Sequence, residues 1–124
     1  QLLDLKSRSQ NHKERKKKNI YYHQKLINKK NKNIQLLPIK DFNFQNFIDY
    51  PILVKNKKKL NKYLLKKGIE TRIIYYKNCS KVFNIDKAKT KNSEMYENEI
   101  LCLPNHKKIT RKYIDYIIEE ISSF

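Results

Sequence analysis

The sequence predicts an α+β fold: a small, mostly antiparallel sheet of three to four strands with helices on one face, preceded by a long N-terminal helix. Three observations carry this expectation. Residues 1–30 contain neither proline nor glycine, so nothing in them breaks a helix. The stretch LLKKGIETRIIYYKNCS, Leu64 to Ser80, ends a helix on the chain's one glycine and passes at once into an alternating strand. Near the C-terminus, Ile114, Ile117, Ile118 and Ile121 recur at helical spacing. A chain of 124 residues fits one domain. At that size it buries roughly two-thirds of its unfolded surface, enough for one core.

Taken in order, residues 1–30 predict a long linking helix and residues 31–124 a small C-terminal α+β domain. The helix has a thin apolar stripe of Leu2, Leu5, Ile20 and Ile27, with Tyr21 and Leu26 beside it, so weak anchoring on its own domain is expected. The polar run 28–33 ends it, and IQLLPI (34–39) is a short extended piece interrupted by Pro38. NFIDYPILV (46–54) alternates as a strand, with Ile48, Tyr50, Ile52 and Val54 on one face, and Pro51 suggests an edge position or a bulge. KNKKKLNKYLLKK places Leu60, Tyr63 and Leu64 at helical spacing. Gly68 closes that helix, because only glycine enters the left-handed conformation cheaply, and Ile69 then falls against Leu64 as in a Schellman motif. Residues 69–76 predict a second strand, with Ile69, Thr71, Ile73 and Tyr75 on one face and Glu70, Arg72, Ile74 and Tyr76 on the other. Residues 77–92 read as a loop turning near Asn84, SEMYENE as a short helix capped by Ser93, and ILCLP (100–104) as a strand stopped by Pro104. The last helix starts at Thr110, with Ile109 and Ile114 spaced as a hydrophobic staple.

The net charge of +17 invites a nucleic-acid reading, since basic surfaces are the electrostatic footprint of phosphate binding. A duller account competes with it. Lys, Asn, Ile and Tyr dominate, as AT-rich codons would give, and lysine outweighs the arginine that base readout and phosphate forks favour. No apolar run approaches the ~18–20 residues of a membrane span, and there is no charged-then-apolar leader, so a cytoplasmic protein is the expectation. Cys79 and Cys102 make neither a disulfide framework nor a metal site, and Asn78-Cys79-Ser80 matches the glycosylation triplet by chance. The chain opens with Gln1 and its only methionine is Met95, which leads us to expect a piece of a longer protein.

Three patches, in one order, resemble the DegT-type nucleotide-sugar aminotransferases, pyridoxal-phosphate enzymes of fold type I. LNKYLLKKGIETRIIYY resembles their small-domain leucine-rich helix, Gly-Ile-Glu-Thr and following strand. EILCLPNHKKITRKYIDYIIEEI resembles their closing strand, Leu-Pro turn and final helix. QLLDLKSRSQNHKERKKKNIYYHQKLI resembles the long helix leading into the small domain, with Gln1-Leu2 at its start and Arg15 in its middle. The resemblance implies a C-terminal domain or fragment of an enzyme that aminates a nucleotide-linked keto sugar in amino-sugar and surface-polysaccharide synthesis. It implies pyridoxal phosphate in the complete parent, none in this chain alone, and no catalysis by this chain on its own. It also implies as partners the large cofactor-binding domain, a homodimer and a nucleotide-sugar. The Schiff-base lysine and the phosphate-binding loop would lie in that large domain. Where the family has His-Tyr-Pro this chain has Ile74-Tyr75-Tyr76, so a role for that histidine does not transfer.

The substrate-binding candidates are Tyr75 and Arg72, because the end of this strand borders the cleft in the resembling enzymes. A phenol can bond a sugar hydroxyl and a guanidinium can fork a phosphate. The plainer alternatives make Tyr75 core, on the face of Ile69 and Ile73, and Arg72 a solvated strand residue. His106 reads as a turn residue. His12 and His23 are too far apart on the helix for a metal pair, and Asp49 is a lone carboxylate. No catalytic or metal-binding residue is assigned. Two other functions compete: a basic nucleic-acid-binding module, and a non-catalytic remnant that works by docking to a partner.

Overall fold

The computed structural model describes residues 2–29, 31–39, 48–74 and 78–124. Helix α1 runs Leu2–Asn28, strand β1 Ile34–Leu36, β2 Tyr50–Val54, helix α2 Lys57–Lys66 and β3 Arg72–Ile73. Helix α3 is Cys79–Val82, followed by a 3-10 turn Lys87–Thr90, α4 Lys91–Glu99, β4 Ile100–Leu103 and α5 Arg111–Ser123. The four strands form one antiparallel sheet in the order β1-β2-β4-β3. The α+β expectation therefore holds, with its long first helix and its small antiparallel sheet.

Register decides which side chains meet. Tyr50 pairs with Leu103 and Ile52 with Leu101, and Ile73 joins Leu101 from the other side. That face buries Tyr50, Ile52, Val54, Leu101 and Leu103 against Tyr22 and Leu26 of α1, Leu60 and Leu64 of α2, and the four isoleucines of α5. At roughly 25 cal/mol for each Å² of apolar surface removed from water, this face is the main source of stability. The opposite face carries Pro51, Leu53, Cys102 and Arg72.

Two local motifs are realised as the sequence predicts. Ile69 donates its backbone N–H to the Leu64 carbonyl at 2.9 Å and Gly68 donates to Leu65 at 3.0 Å, with Gly68 at φ +73°. This is the Schellman pattern, and Ile69 and Leu64 are both buried. At α5, the Thr110 hydroxyl accepts from the Tyr113 N–H at 3.2 Å, and Ile109 and Ile114 are both buried as a staple.

Other expectations are corrected. β2 is an interior strand rather than an edge. Pro51 is tolerated because β1 pairs only with residues 52–54, leaving Pro51 beyond its reach. Ile48 is half exposed and precedes the strand, while residues 46 and 47 lie outside the described residues. β3 is two residues long, not eight. Thr71 instead takes the Asn61 amide on its hydroxyl at 2.7 Å, and Tyr75 and Tyr76 lie outside the described residues. The 77–92 loop contains α3, whose first turn is capped by the Asn78 side-chain Oδ1 accepting from the Ser80 N–H at 3.1 Å, and then the 3-10 turn. The bend at Asn84 is real, with φ +50°. Ser93 lies inside α4 and caps nothing, since Lys91 already belongs to the helix.

The inner face of α1 is also reassigned. Ile27 is 53% exposed, whereas Asn19, Tyr22 and Leu26 are buried. These three follow i, i+3, i+7 spacing, one helical face, and Ile20 and Ile27 fall one residue round from it. The residues from Lys6 to Glu14 are exposed. At 1.5 Å per residue, this exposed stretch before Arg15 is roughly 13 Å long.

Candidate functional site

The turn after β4 gathers the polar groups of four elements. Asn105 is buried there and donates its side-chain amide to the Arg15 carbonyl at 3.2 Å and to Asn19 Oδ1 at 2.5 Å. Asn19, also buried, donates in turn to the Asp49 carbonyl at 3.0 Å. The Asp49 carboxylate pairs with the Arg72 guanidinium across the end of the sheet. A continuous polar chain thus runs from the middle of α1, through the turn and the entry to β2, to β3. Beside it, Tyr22 donates its hydroxyl to the Pro104 carbonyl at 3.0 Å, and Tyr22 and Tyr50 stack with ring centroids 5.1 Å apart.

This chain of contacts borders an open groove of about 890 Å³ along the outer edge of β3, reached by Arg72, Asp49, Cys102, His106, Arg15 and Tyr113. Among the described residues β3 is the last strand of the sheet. Arg72 is placed by register, directly opposite Cys102, with most of its side chain solvent-exposed. One carboxylate does not saturate a guanidinium, whose fork offers five N–H donors, so Arg72 can still present donors to an anionic or hydroxylated ligand. Asp49, read from sequence as a lone carboxylate, is the group that orients it.

Burial, with the nearby Asp49 charge adding to it, pushes the Cys102 thiol up to about 11, so it stays protonated near neutrality. Cys79, the other free thiol, is exposed on α3. His23 is hydrogen-bonded to the Tyr50 hydroxyl at 2.9 Å, and burial lowers its pKa below 6.5. Among the described residues no group of three His, Cys, Asp or Glu side chains is placed to hold a metal ion, and no helix is long and apolar enough to cross a membrane.

Of the two residues singled out from sequence, Arg72 is brought to the groove and Tyr75 lies outside the described residues. Asn19, Asn105 and Tyr113 were not legible as site residues. The spacing of Asn19 with Tyr22 and Leu26 was the available signal for the first. Nothing in LPNHKK marks Asn105.

A scan against protein-family models matches residues 2–122 to the DegT/DnrJ/EryC1/StrS aminotransferase family. Solved structures share the fold. A DegT DnrJ EryC1 StrS aminotransferase from Brucella abortus superposes with a TM-score of 0.77 at 22% identity, covering 99% of this chain and 33% of that one. The sugar aminotransferase CalS13 from Micromonospora echinospora gives 0.79 at 16% identity, covering 98% and 33%. Spr1654 from Streptococcus pneumoniae, in its PLP form, gives 0.71 at 18% identity, covering 98% and 33%. The chain therefore spans about a third of the length of the structures it matches. No curated protein matches it.

Proposed function

Because this chain belongs to the DegT/DnrJ/EryC1/StrS aminotransferase family, we propose that it serves as the small C-terminal domain of a cytoplasmic, homodimeric sugar aminotransferase. The parent moves an amino group onto a keto sugar carried on a nucleotide, for amino-sugar and surface-polysaccharide synthesis. Residues 1–30 link this domain to a larger one, and residues 31–124 form the second wall of the substrate cleft. The observation that carries the proposal is the family match over residues 2–122, on a fold that fills a third of the related enzymes. The exposure of residues 6–14 of α1 supports it, since an exposed helix stretch suits a connection to a second body.

In this reading Arg72 and Tyr75 face the substrate from the β3 side. Arg72 supplies N–H donors, held by Asp49, and Tyr75 supplies a phenol.

Pyridoxal phosphate, the cofactor that the family implies, does not fit the residues described here. Lys18 and Lys57, whose pKa values burial lowers, spend their ammonium groups on main-chain carbonyls. Lys18 reaches the His106 and Lys107 carbonyls at 2.9 and 3.3 Å, and Lys57 the Glu97 carbonyl at 2.5 Å. Gly68 closes a helix and cradles no phosphate. In the proposal the cofactor, and with it the catalytic power, belongs to the large domain.

The test is to read the gene upstream of the Gln1 codon and to express the joined product. We expect a large domain with a cofactor lysine, and glutamate-dependent amination of nucleotide-linked keto sugars. Arg72→Ala in that enzyme should raise KM and leave kcat nearly intact. If neither that frame nor an adjacent one encodes such a domain, the proposal fails.

A further inference from the structure

A second groove, of about 630 Å³, lies between the middle of α1 and the N-terminal end of α5, and it meets the β3 groove at Arg15, His106 and Ile109. Its charge is one-sided. Arg15, Lys17, Lys18, Lys107 and Arg111 line it against one carboxylate, Glu14, which Lys17 neutralises at 3.1 Å. Four cations remain in excess. The Lys18 and Arg111 side chains and the Arg15 backbone are also held in place. Lys18 is tied to the two turn carbonyls, the Arg15 backbone is fixed by Asn105, and the Arg111 guanidinium sits over the Tyr21 ring at 5.4 Å. Tyr21 is itself anchored, donating to the Asp115 carboxylate at 2.9 Å. The walls therefore need little ordering when a ligand arrives, which is where binding energy is usually lost.

Crowding like charges in a partly buried groove is unfavourable until an anion enters. The lowered pKa of Lys18, caused chiefly by burial and in part by Arg15, reports the same strain. The first turn of α5 adds to the positive end, since it carries Arg111 and no acidic residue.

We propose that this groove is an anion site for a diphosphate group. A diphosphate matches four excess cations better than a single phosphate does, because it brings more charge and more acceptor oxygens into one pocket. The two-walled shape gathers the cations at one place, and among the described residues no Phe, Tyr or Trp lines it, unlike the basic, aromatic-studded tracks that hold single-stranded nucleic acid; its one ring is the His106 imidazole. The inference deepens the substrate reading above, on which it rests for the natural ligand, a nucleotide-linked sugar. The diphosphate would lie between α1 and α5 and the sugar would reach over Arg15 toward Arg72.

The test uses the 124-residue chain, isotope-labelled for NMR, titrated at low salt with inorganic pyrophosphate, inorganic phosphate, uridine diphosphate, uridine and a short DNA duplex. Saturable one-to-one pyrophosphate binding is expected, with amide shifts concentrated at Arg15, Lys18 and residues 106–111. Uridine diphosphate should bind at least as well, phosphate more weakly, and uridine undetectably. The double variant Lys107→Ala, Arg111→Ala should lose roughly tenfold or more in affinity, as two charge-assisted contacts would. Lys58→Ala on α2 should change nothing, and thermal melts of both variants establish that they are folded. Unsaturable shifts spread equally over the α2 lysines would overturn the site, as would affinity unchanged in the double variant. So would DNA binding that competes with pyrophosphate and is the tighter of the two. Pyrophosphate binding does not depend on turnover, so its failure leaves the aminotransferase proposal standing. Failure to find a large domain leaves the anion site standing.

Discussion

Replacing Asn19 by alanine should unfasten α1 from the domain. Asn19 is 4% exposed, and its amide makes two bonds, one to the Asp49 carbonyl at 3.0 Å and one from Asn105 at 2.5 Å. Each buried hydrogen bond is worth about 1 kcal/mol net, and leaving the Asp49 carbonyl unsatisfied costs about 1 kcal/mol more. Asn105 keeps the Arg15 carbonyl at 3.2 Å, so its amide adds little to the loss. The sum is about 3 kcal/mol. Unfolding entropy near 2.1 cal/mol/K per residue converts each kcal/mol into about 4 °C for a chain of this size, so Tm should fall by about 10–12 °C. Alanine has the highest helix propensity, so the substitution cannot act by weakening the helix itself. Thermal and urea unfolding measure the loss, with the exposed Gln24→Ala as control. Amide exchange across α1 should accelerate more than exchange across α5. A Tm within about 2 °C of the parent chain would refute the argument that polar bonds, rather than apolar burial alone, hold this helix.

Three further outcomes follow from the geometry. Gly68→Ala should cost about 1–2 kcal/mol, because φ is +73° while a new Cβ would meet nothing within 4 Å. Gly68→Asn should cost less, and an alanine variant as stable as the parent in urea would contradict the strain argument. A disulfide reagent should label Cys79 quickly in the native chain and Cys102 only after unfolding, since one thiol is exposed and the other is buried with its pKa raised to about 11; equal native rates would sink this. For pH, burial depresses the pKa of His23 below 6.5, so the unfolded chain binds a proton first as pH falls. The stability contributed by neutral His23 is full above 6.5 and is lost as pH falls through the depressed folded value. His23→Gln should flatten the stability profile in that window, and an unchanged slope would show that another group titrates there.

What the sequence made legible is what local physics dictates. Gly68 announces its turn because only glycine takes φ +73° without strain, and Thr110 with Ile109 and Ile114 announces a helix start because cap and staple are contacts within one turn. The α5 core stripe follows from period alone. Long-range pairing was not legible. Eight alternating residues, 69–76, predict a strand, yet among the described residues the ladder holds only Arg72 and Ile73, and Thr71 just before it is engaged by Asn61, ten residues earlier. Pro51 looks like an edge residue until the length of β1 is known. The site divides the same way. Arg72 could be named from its strand, but its partner Asp49 sits 23 residues away and Asn105 is 86 residues from Asn19. Spacing along a chain carries no signal for such pairs.

The thin apolar stripe of α1 predicts a poorly anchored helix, and the turn at 104–107 shows why that inference fails. Every element of that turn is engaged from α1. The Pro104 carbonyl takes the Tyr22 hydroxyl, Asn105 reaches the Arg15 carbonyl and Asn19, and the His106 and Lys107 carbonyls take the Lys18 ammonium. A loop of this kind would otherwise leave its carbonyls to water or unpaired. Apolar packing is indifferent to direction, whereas hydrogen bonds from four residues on successive turns fix both the rotation and the tilt of the helix. The exposed outer half of α1 therefore leaves the domain along a set line. For a segment proposed to lead into a larger body, direction is the property that matters. The residues that set it, Arg15 and Lys18 with the turn they hold, also form the rim where the two grooves meet. Loosening this seam should thus disturb both the joint and the ligand surface, so Asn19→Ala is expected to weaken pyrophosphate binding as well as stability, although Asn19 lines the β1–β2 hollow and not the basic groove. Pyrophosphate affinity unchanged in a folded Asn19→Ala chain would separate the two roles and refute the coupling.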